Sequence, residues 1–373
     1  MTKEKGRKTR DKKQLIEAGA IVGIVLFLAV IMPLLIPAFR LKLLGRFLAL
    51  AIAALGIDLI WGYTGLLSLG HGIFFALGGY AIAMYLKLHG PEAPIPDFFS
   101  LYGVDELPWF WQPFNSFPFT AIAIVFIPAI VAGLLGYFVF RNRIRGVYFS
   151  ILTQAALLVF FNFFNGQQEL INGTNGLKTD QDNIFGMVVS SDRAQLTFYI
   201  LTIIFLVLTY LLCRWLTSGR FGRLLIAVRD DETRVRFTGY NPTWFKVLVF
   251  AISGGIAGLG GALYVPQTGI ITPNAMEVAF SIEMVIWVAV GGRGTLVGAI
   301  IGTILVNFAQ TLLSERFPAV WIFFQGALFL IVVTVLPEGL MGLLKYRRSL
   351  LWFRPKVATY PQIEDDPEIQ KER

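Results

Sequence analysis

Runs of mainly apolar residues, most of them near the ~20 needed to cross a bilayer, recur along the chain. They fall at about 15–39, 43–61, 64–88, 117–140, 145–164, 195–213, 243–264, 279–292, 296–313 and 319–336. Lipid offers no partner to a backbone N–H or C=O, so each run must satisfy its own polar groups as a helix. The sequence therefore predicts an all-α polytopic membrane protein. The eighth run is too short to cross alone and reads as a half-helix, which gives about ten transmembrane helices (9–10), some broken or short. Composition points the same way: 55% of residues are hydrophobic and only 15% charged, and mean hydropathy is +0.66. A soluble domain has too little surface cover for so much apolar side chain.

Several function classes fall away at once. The single cysteine, Cys213, excludes an internal disulfide and any paired-cysteine metal or redox motif. Two histidines, His71 and His89, leave little for a histidine metal centre. The net charge of +8 is spread between apolar runs rather than gathered in one patch, which argues for membrane orientation and against nucleic acid. No cluster of histidine, cysteine or carboxylate stands at ligand or nucleophile spacing, so an integral membrane enzyme is disfavoured and no cofactor is expected.

Lysine and arginine mark the cytoplasmic side. Seven of the first thirteen residues are basic, arginines cluster at 141–145 and at 214–236, and Lys345, Arg347 and Arg348 follow the last run. The 89–116 connection carries Glu92, Asp97, Asp105 and Glu106 with no lysine or arginine, and 165–194 is acidic on balance. This predicts both termini cytoplasmic, residues 1–14 as a basic tail, a transmembrane body over 15–336 with external loops 89–116 and 165–194, a cytoplasmic segment 214–242, and a tail over 337–373. The end of that tail, residues 360–369, is acidic, lacks apolar periodicity and reads as disordered. Arg40, Lys42 and Arg46 break the pattern, since their connection should face outside. The first apolar run is longer than a signal-peptide core and lacks a small-residue cleavage site, so it reads as an uncleaved span.

Four blocks carry more information. Residues 61–80 (WGYTGLLSLGHGIFFALGGY) hold six glycines in twenty; they fit either tight helix packing or a broken helix bordering a path. Residues 253–262 (SGGIAGLGGA) have small-xxx-small spacing and fit helix packing, not a dinucleotide fingerprint. Residues 291–298 (GGRGTLVG) lack the Gly-Lys-Ser/Thr ending of a phosphate loop, so this chain is not itself a P-loop ATPase. Residues 218–242 place Leu224, Leu225, Ala227 and Val228 on a short apolar face before Asp230, Asp231 and Glu232, with Gly239 and Pro242 as stops. That segment fits a surface helix for docking a partner protein, or a solvated basic loop.

Residues 62–71 (GYTGLLSLGH), the 218–242 segment, and Ser281-Ile-Glu-Met with 291–298 together resemble the permeases of the branched-chain amino acid ABC importer family, over most of residues 43–336. Residues 107–111 (LPWFW), 143–150 (RIRGVYFS) and 172–177 (NGTNGL) resemble the larger permease of urea or short-chain amide importers. Asn172-Gly-Thr174 departs from the paired glycines common in amino-acid permeases; the glycosylation sequon it forms carries no weight in a bacterial importer. The resemblance implies a permease subunit in the bacterial cytoplasmic (inner) membrane, working as a heterodimer with a second permease, two cytoplasmic ATPases and an external (periplasmic) solute-binding protein. It implies that residues 218–240 couple to the ATPase, through Arg223, Leu224, Arg229, Asp230, Asp231 and Glu232. The expected solute is urea or a short amide, with branched-chain or other amino acids as the alternative, and a self-sufficient transporter or channel as the rival class.

Asp58, His71, Glu277 and Glu283 lie in or near apolar runs, where a charge costs roughly 2.5–3.5 kcal/mol unless it faces protein or water. A structural role, such as bonding a neighbouring helix, is expected for Glu283. Residues expected to face a path are Gly65, Ser68, His71, Thr153, Gln154, Asn162, Asn307 and Gln310; helix–helix hydrogen bonding is the competing role for the polar side chains among them.

Overall fold

The computed structural model describes residues 19, 22–91, 95–317, 320–335 and 339–342. The basic tail 1–14, Glu92, Lys345, Arg347, Arg348 and the acidic tail lie outside these residues. Among the described residues, seven helices are long and apolar enough to cross a membrane. They are α2 (Ala38–Thr64), α3 (His71–Leu88), α4 (Phe117–Arg141), α5 (Val147–Gly166), α6 (Asp192–Ser218), α9 (Pro242–Thr268) and α11 (Leu296–Arg316). The shorter apolar helices are α1 (Val22–Leu35), α10 (Val278–Gly291) and α12 (Trp321–Val335). These ten account for the ten apolar runs, and the eighth run is a fourteen-residue helix as its length foretells.

Two boundaries differ from the sequence reading. The chain breaks at Ile36, which is extended, and α2 starts directly after Pro37. Arg40, Lys42 and Arg46 are therefore helical residues rather than a connection. Arg46 donates from Nε to the Gln267 carbonyl at 2.9 Å, near the end of α9. A cation beside a helix C-terminus meets the negative end of its dipole, which accounts for one of the three misplaced charges. The run 64–88 is not one helix either. Gly65 ends α2 in the left-handed conformation (φ 74°), its N–H bonding the Trp61 carbonyl, and helix resumes only at His71. Only glycine takes that φ without a steric penalty.

The centre is a crossing of α2, α3 and α9, with α4, α6 and α11 packed around it. Glycines let the backbones touch. A Cβ on Gly78 would strike the Gly258 carbonyl, and one on Gly261 the Phe75 carbonyl. The 253–262 block is thus helix packing. The 291–298 block is the turn between α10 and α11, with Gly291 against Gly298.

The connections at the two ends differ in kind. At one end lie 65–70, 142–146, the helices of 220–237 and 292–295. At the other, Leu177–Lys178 (β1) pairs antiparallel with Ile270–Ile271 (β4), and Asn183–Ile184 (β2) with Met187–Val188 (β3). There Trp111 Nε1 also donates to the Leu170 carbonyl at 2.9 Å, joining the two long loops.

Candidate functional site at the arginine-rich end

The 218–242 segment folds as two helices, α7 (Arg220–Asp230) and α8 (Glu232–Phe237), where the sequence suggests one. Asp231 divides them. Its backbone is extended and its Oδ1 accepts from the N–H groups of Thr233 (2.9 Å) and Arg234 (3.1 Å), an N-cap that starts a new helix. Leu225 and Val228 are buried, Leu224 half-buried and Ala227 exposed, so the apolar face is narrower than the sequence implies. Gly239 (φ 86°) ends α8. Asn241 then caps α9, accepting from Thr243 N–H at 3.1 Å, with Pro242 in its first turn.

Two links tie this segment to the spans. Arg229 donates from Nη1 to the Gly62 carbonyl at 3.0 Å, on the last turn of α2, and its stem lies against Gly65. Glu232 is buried, and its carboxylate accepts from Lys246 Nζ of α9 at 3.1 Å and from Arg236 at 2.8 Å, with Arg145 Nε also at 3.1 Å. Lys246 is itself buried, at 1% exposure. Burial alone raises the Glu232 pKa, but the Arg236 hydrogen bond, then Lys246 and Arg145, outweigh it and hold the carboxyl below its usual value. Asp230 and Arg223 are exposed, whereas half-buried Asp231 turns its carboxylate to the α8 N-terminus. Between segment and spans lies a polar cavity of about 350 Å³, bordered by Thr64, Gly65, Arg145, Arg229, Asp231 and Lys246.

The third motif meets the same spot. Asp58 Oδ1 accepts from Gly294 N–H at 2.5 Å, and Gly62 packs on the Gly294 backbone. The blocks at 62–71, 218–242 and 291–298, far apart in sequence, thus share one junction.

The unwound 65–70 stretch borders it and has its own supports. Ser150 Oγ donates to the Leu67 carbonyl at 2.6 Å, and Leu69 N–H donates to Thr153 Oγ1 at 3.1 Å. Gly70 N–H donates to Ser68 Oγ at 3.3 Å. Behind it, Ser253 Oγ donates to the Gly56 carbonyl at 2.6 Å and so accepts from His71 Nε2 at 2.7 Å. This network assigns the proton of His71 to Nε2.

Gly65, Ser68, His71 and Thr153 are thus brought together, with half-buried Gln154 beside Thr153. Asn162 and Asn307 are not part of that group. Each donates to a carbonyl four residues back in its own helix, at 2.8 Å, Asn162 exposed and Asn307 buried. Gln310 is half-buried farther along α11. Glu283 accepts from Gln325 Nε2 at 2.8 Å, a bond to a neighbouring helix. Sequence reasoning missed Arg145, Lys246, Ser150 and Ser253. Lys246 left a signal: a lysine inside an apolar run requires a buried partner.

Residues 39–333 match the family model for "Branched-chain amino acid transport system / permease component". The chain is 25% identical over 348 residues to the high-affinity branched-chain amino acid transport system permease protein LivM of Escherichia coli K12, covering 87% of this chain and 75% of that protein. It is 23% identical over 320 residues to the probable LivM of Methanocaldococcus jannaschii, covering 78% and 89%. It is 21% identical over 227 residues to the ribose import permease protein RbsC of Haemophilus influenzae, covering 59% and 68%. No solved structure matches. With seven spanning helices, three shorter apolar ones and a family match across almost all of them, the chain belongs to the branched-chain amino acid transport permeases and is a multi-pass permease component of an ABC importer of the cytoplasmic membrane.

Proposed function

We propose that this chain forms half of a translocation path for a small polar solute, beside a second permease subunit, and that ATPase subunits drive it through α7 and α8. The convergence of three motifs on one junction carries this reading. A docking segment that merely floated in solvent would need neither the Arg229–Gly62 bond nor the buried Glu232–Lys246 pair. With both, displacement of α7 and α8 reaches the end of α2, the unwound 65–70 stretch and α9. The outward surface offered to a partner is Arg223, Asp230 and Arg234, with Phe237 at its tip, 87% exposed, while Asp231 holds the start of α8 in place. Glu232 faces inward and acts as an anchor rather than as a docking group. The loops 89–116 and 165–194 then face the external binding protein, 214–242 and both tails face the cytoplasm, and ATP is hydrolysed by the partners.

The solute that fits best is a branched-chain or other apolar amino acid. The matched relatives named for such amino acids extend over most of this chain, whereas the urea reading has only short loop resemblances behind it. The mechanism is alternating access: ATP binding draws the partners together, α7 and α8 move, and the 65–70 stretch with its Ser150 and Thr153 supports shifts at the mouth of the path.

The test is reconstitution of the whole importer in proteoliposomes with labelled leucine and labelled urea. ATP-dependent leucine uptake, weakened when Asp230 and Phe237 are replaced by alanine, is the expected result. Urea uptake in its place would overturn the solute assignment. Gradient-driven uptake by this chain alone would overturn the importer-subunit reading.

A further inference from the structure

α4 and α6 both pack on α9 and leave a groove between them. Leu259 and Ala262 of α9 form its floor, Ala121 and Val125 of α4 one wall, Leu201 and Phe205 of α6 the other. The groove encloses about 270 Å³ and its lining is almost entirely carbon. Its one polar lining side chain, Thr197, donates its hydroxyl to the Arg193 carbonyl at 2.8 Å, which leaves no charged group for the ammonium and carboxylate of an amino acid, so it is not a solute site.

Its outer end is closed by the β2–β3 hairpin, at the end opposite α7 and α8. Phe185 sits at the hairpin tip with φ 47°, 70% exposed, its ring edge-on to Phe117 at 5.1 Å. Arg193 opens α6 at the same end, one turn before the groove-lining Thr197 and on the same helix face. It is exposed, and no ion pair to it occurs among the described residues. Its neighbour Asp192 lies about 100° round the helix. The first turn of α6 adds the positive end of a helix dipole.

The dimensions fit one leaflet. From Ala194 to Phe205 the groove follows α6 for about 16 Å at 1.5 Å per residue, half of the ~30 Å hydrocarbon core. We infer that the groove holds one acyl chain of a phospholipid from the leaflet at that end, with the lipid phosphate on the Arg193 guanidinium. Charge complementarity, the carbon lining and the match to half a bilayer select this occupant over a partner helix, which is too wide for a slot of this volume.

The full chain in phosphatidylcholine nanodiscs, doped with phosphatidylglycerol carrying a diazirine on one acyl chain, tests the inference. Illumination should place cross-links on residues 121–125 and 197–205. Ala121→Trp fills the groove from its exposed wall and should cut that labelling about fivefold, and Arg193→Gln should do the same for phosphatidylglycerol while leaving a diacylglycerol probe unchanged. Labelling spread equally over the exposed faces of α5 and α11, or unchanged in both variants, would overturn it. Should Ala121→Trp fail to fold, the Arg193→Gln comparison between the two probes decides alone.

Discussion

The glycine-packed crossing of α2, α3 and α9 and the junction at the arginine-rich end lie on the same helices but are built on opposite terms. In the crossing, backbone meets backbone: Gly78 on Gly258, Gly261 on Phe75, with no room for a methyl group. At the junction, long side chains reach across a cavity of about 350 Å³ to a few carbonyls and one carboxylate. Close packing tolerates almost no displacement, whereas single hydrogen bonds across a polar gap can be exchanged at small net cost. The first region therefore keeps the shape, and the second is where movement can enter it.

The sharpest way to break this contrast is at its one rigid point, the buried ion pair. Glu232→Ala leaves Lys246 charged and without its carboxylate, and removal of one partner from a buried pair costs about 3–5 kcal/mol. The melting temperature of the purified protein should fall accordingly, and the double replacement Glu232→Leu with Lys246→Met should restore most of the loss. If Glu232→Ala melts like the wild type, the pair is not an anchor.

Next in size is the crossing itself. Gly78→Ala forces a methyl into the Gly258 backbone and should cost about 1–3 kcal/mol, read in the same melting assay. Gly103→Ala serves as a control, because its added Cβ meets nothing and its φ of 71° carries only backbone strain.

Acid provides a graded probe of the junction alone. The Glu232 carboxyl is held below its usual value by Arg236, Lys246 and Arg145 against the opposing effect of burial. Its stabilising contribution is therefore complete above the unfolded pKa of about 4.3 and is lost as pH falls through the lower folded value. Melting temperature should drop across that acid window in the wild type and change less in Glu232→Gln.

The smallest effect on stability should come from Arg229→Ala. Its guanidinium is partly exposed, so losing the bond to the Gly62 carbonyl should cost under about 1 kcal/mol. The expected signature is functional: ATP hydrolysis persists while solute uptake per ATP falls. Equal loss of both would place Arg229 in docking rather than in transmission.

Much of this was legible in the sequence, for a physical reason. A membrane helix must be apolar over a nearly fixed length, so the runs locate the helices, and a glycine such as Gly65 marks where one stops. The junction was legible only in halves. The motifs at 62–71, 218–242 and 291–298 can be noticed separately, but their meeting depends on side chains separated by long stretches of chain, such as Asp58 with Gly294 or Arg145 with Glu232. The division at Asp231 was hidden because an aspartate between two charged neighbours reads as surface until its carboxylate is seen capping α8. Asn162 and Asn307 show what a sequence leaves open: a polar residue in an apolar run suggests a path, and in the fold each donates to a carbonyl of its own helix.

The two-residue ladder between β1 and β4 has a mechanical consequence. Leu177 and Lys178 are laced to Ile270 and Ile271, and the Thr179 N–H bonds the Gly269 carbonyl at 2.8 Å, just past the end of α9. The loop after α5 and the far tip of α9 thus form one plate. Lys246, near the other tip of the same helix and about 33 Å from Thr268, is held there by Glu232. A load set on the plate and a tug at Glu232 act on a single rod, so the two faces of the membrane share an axle.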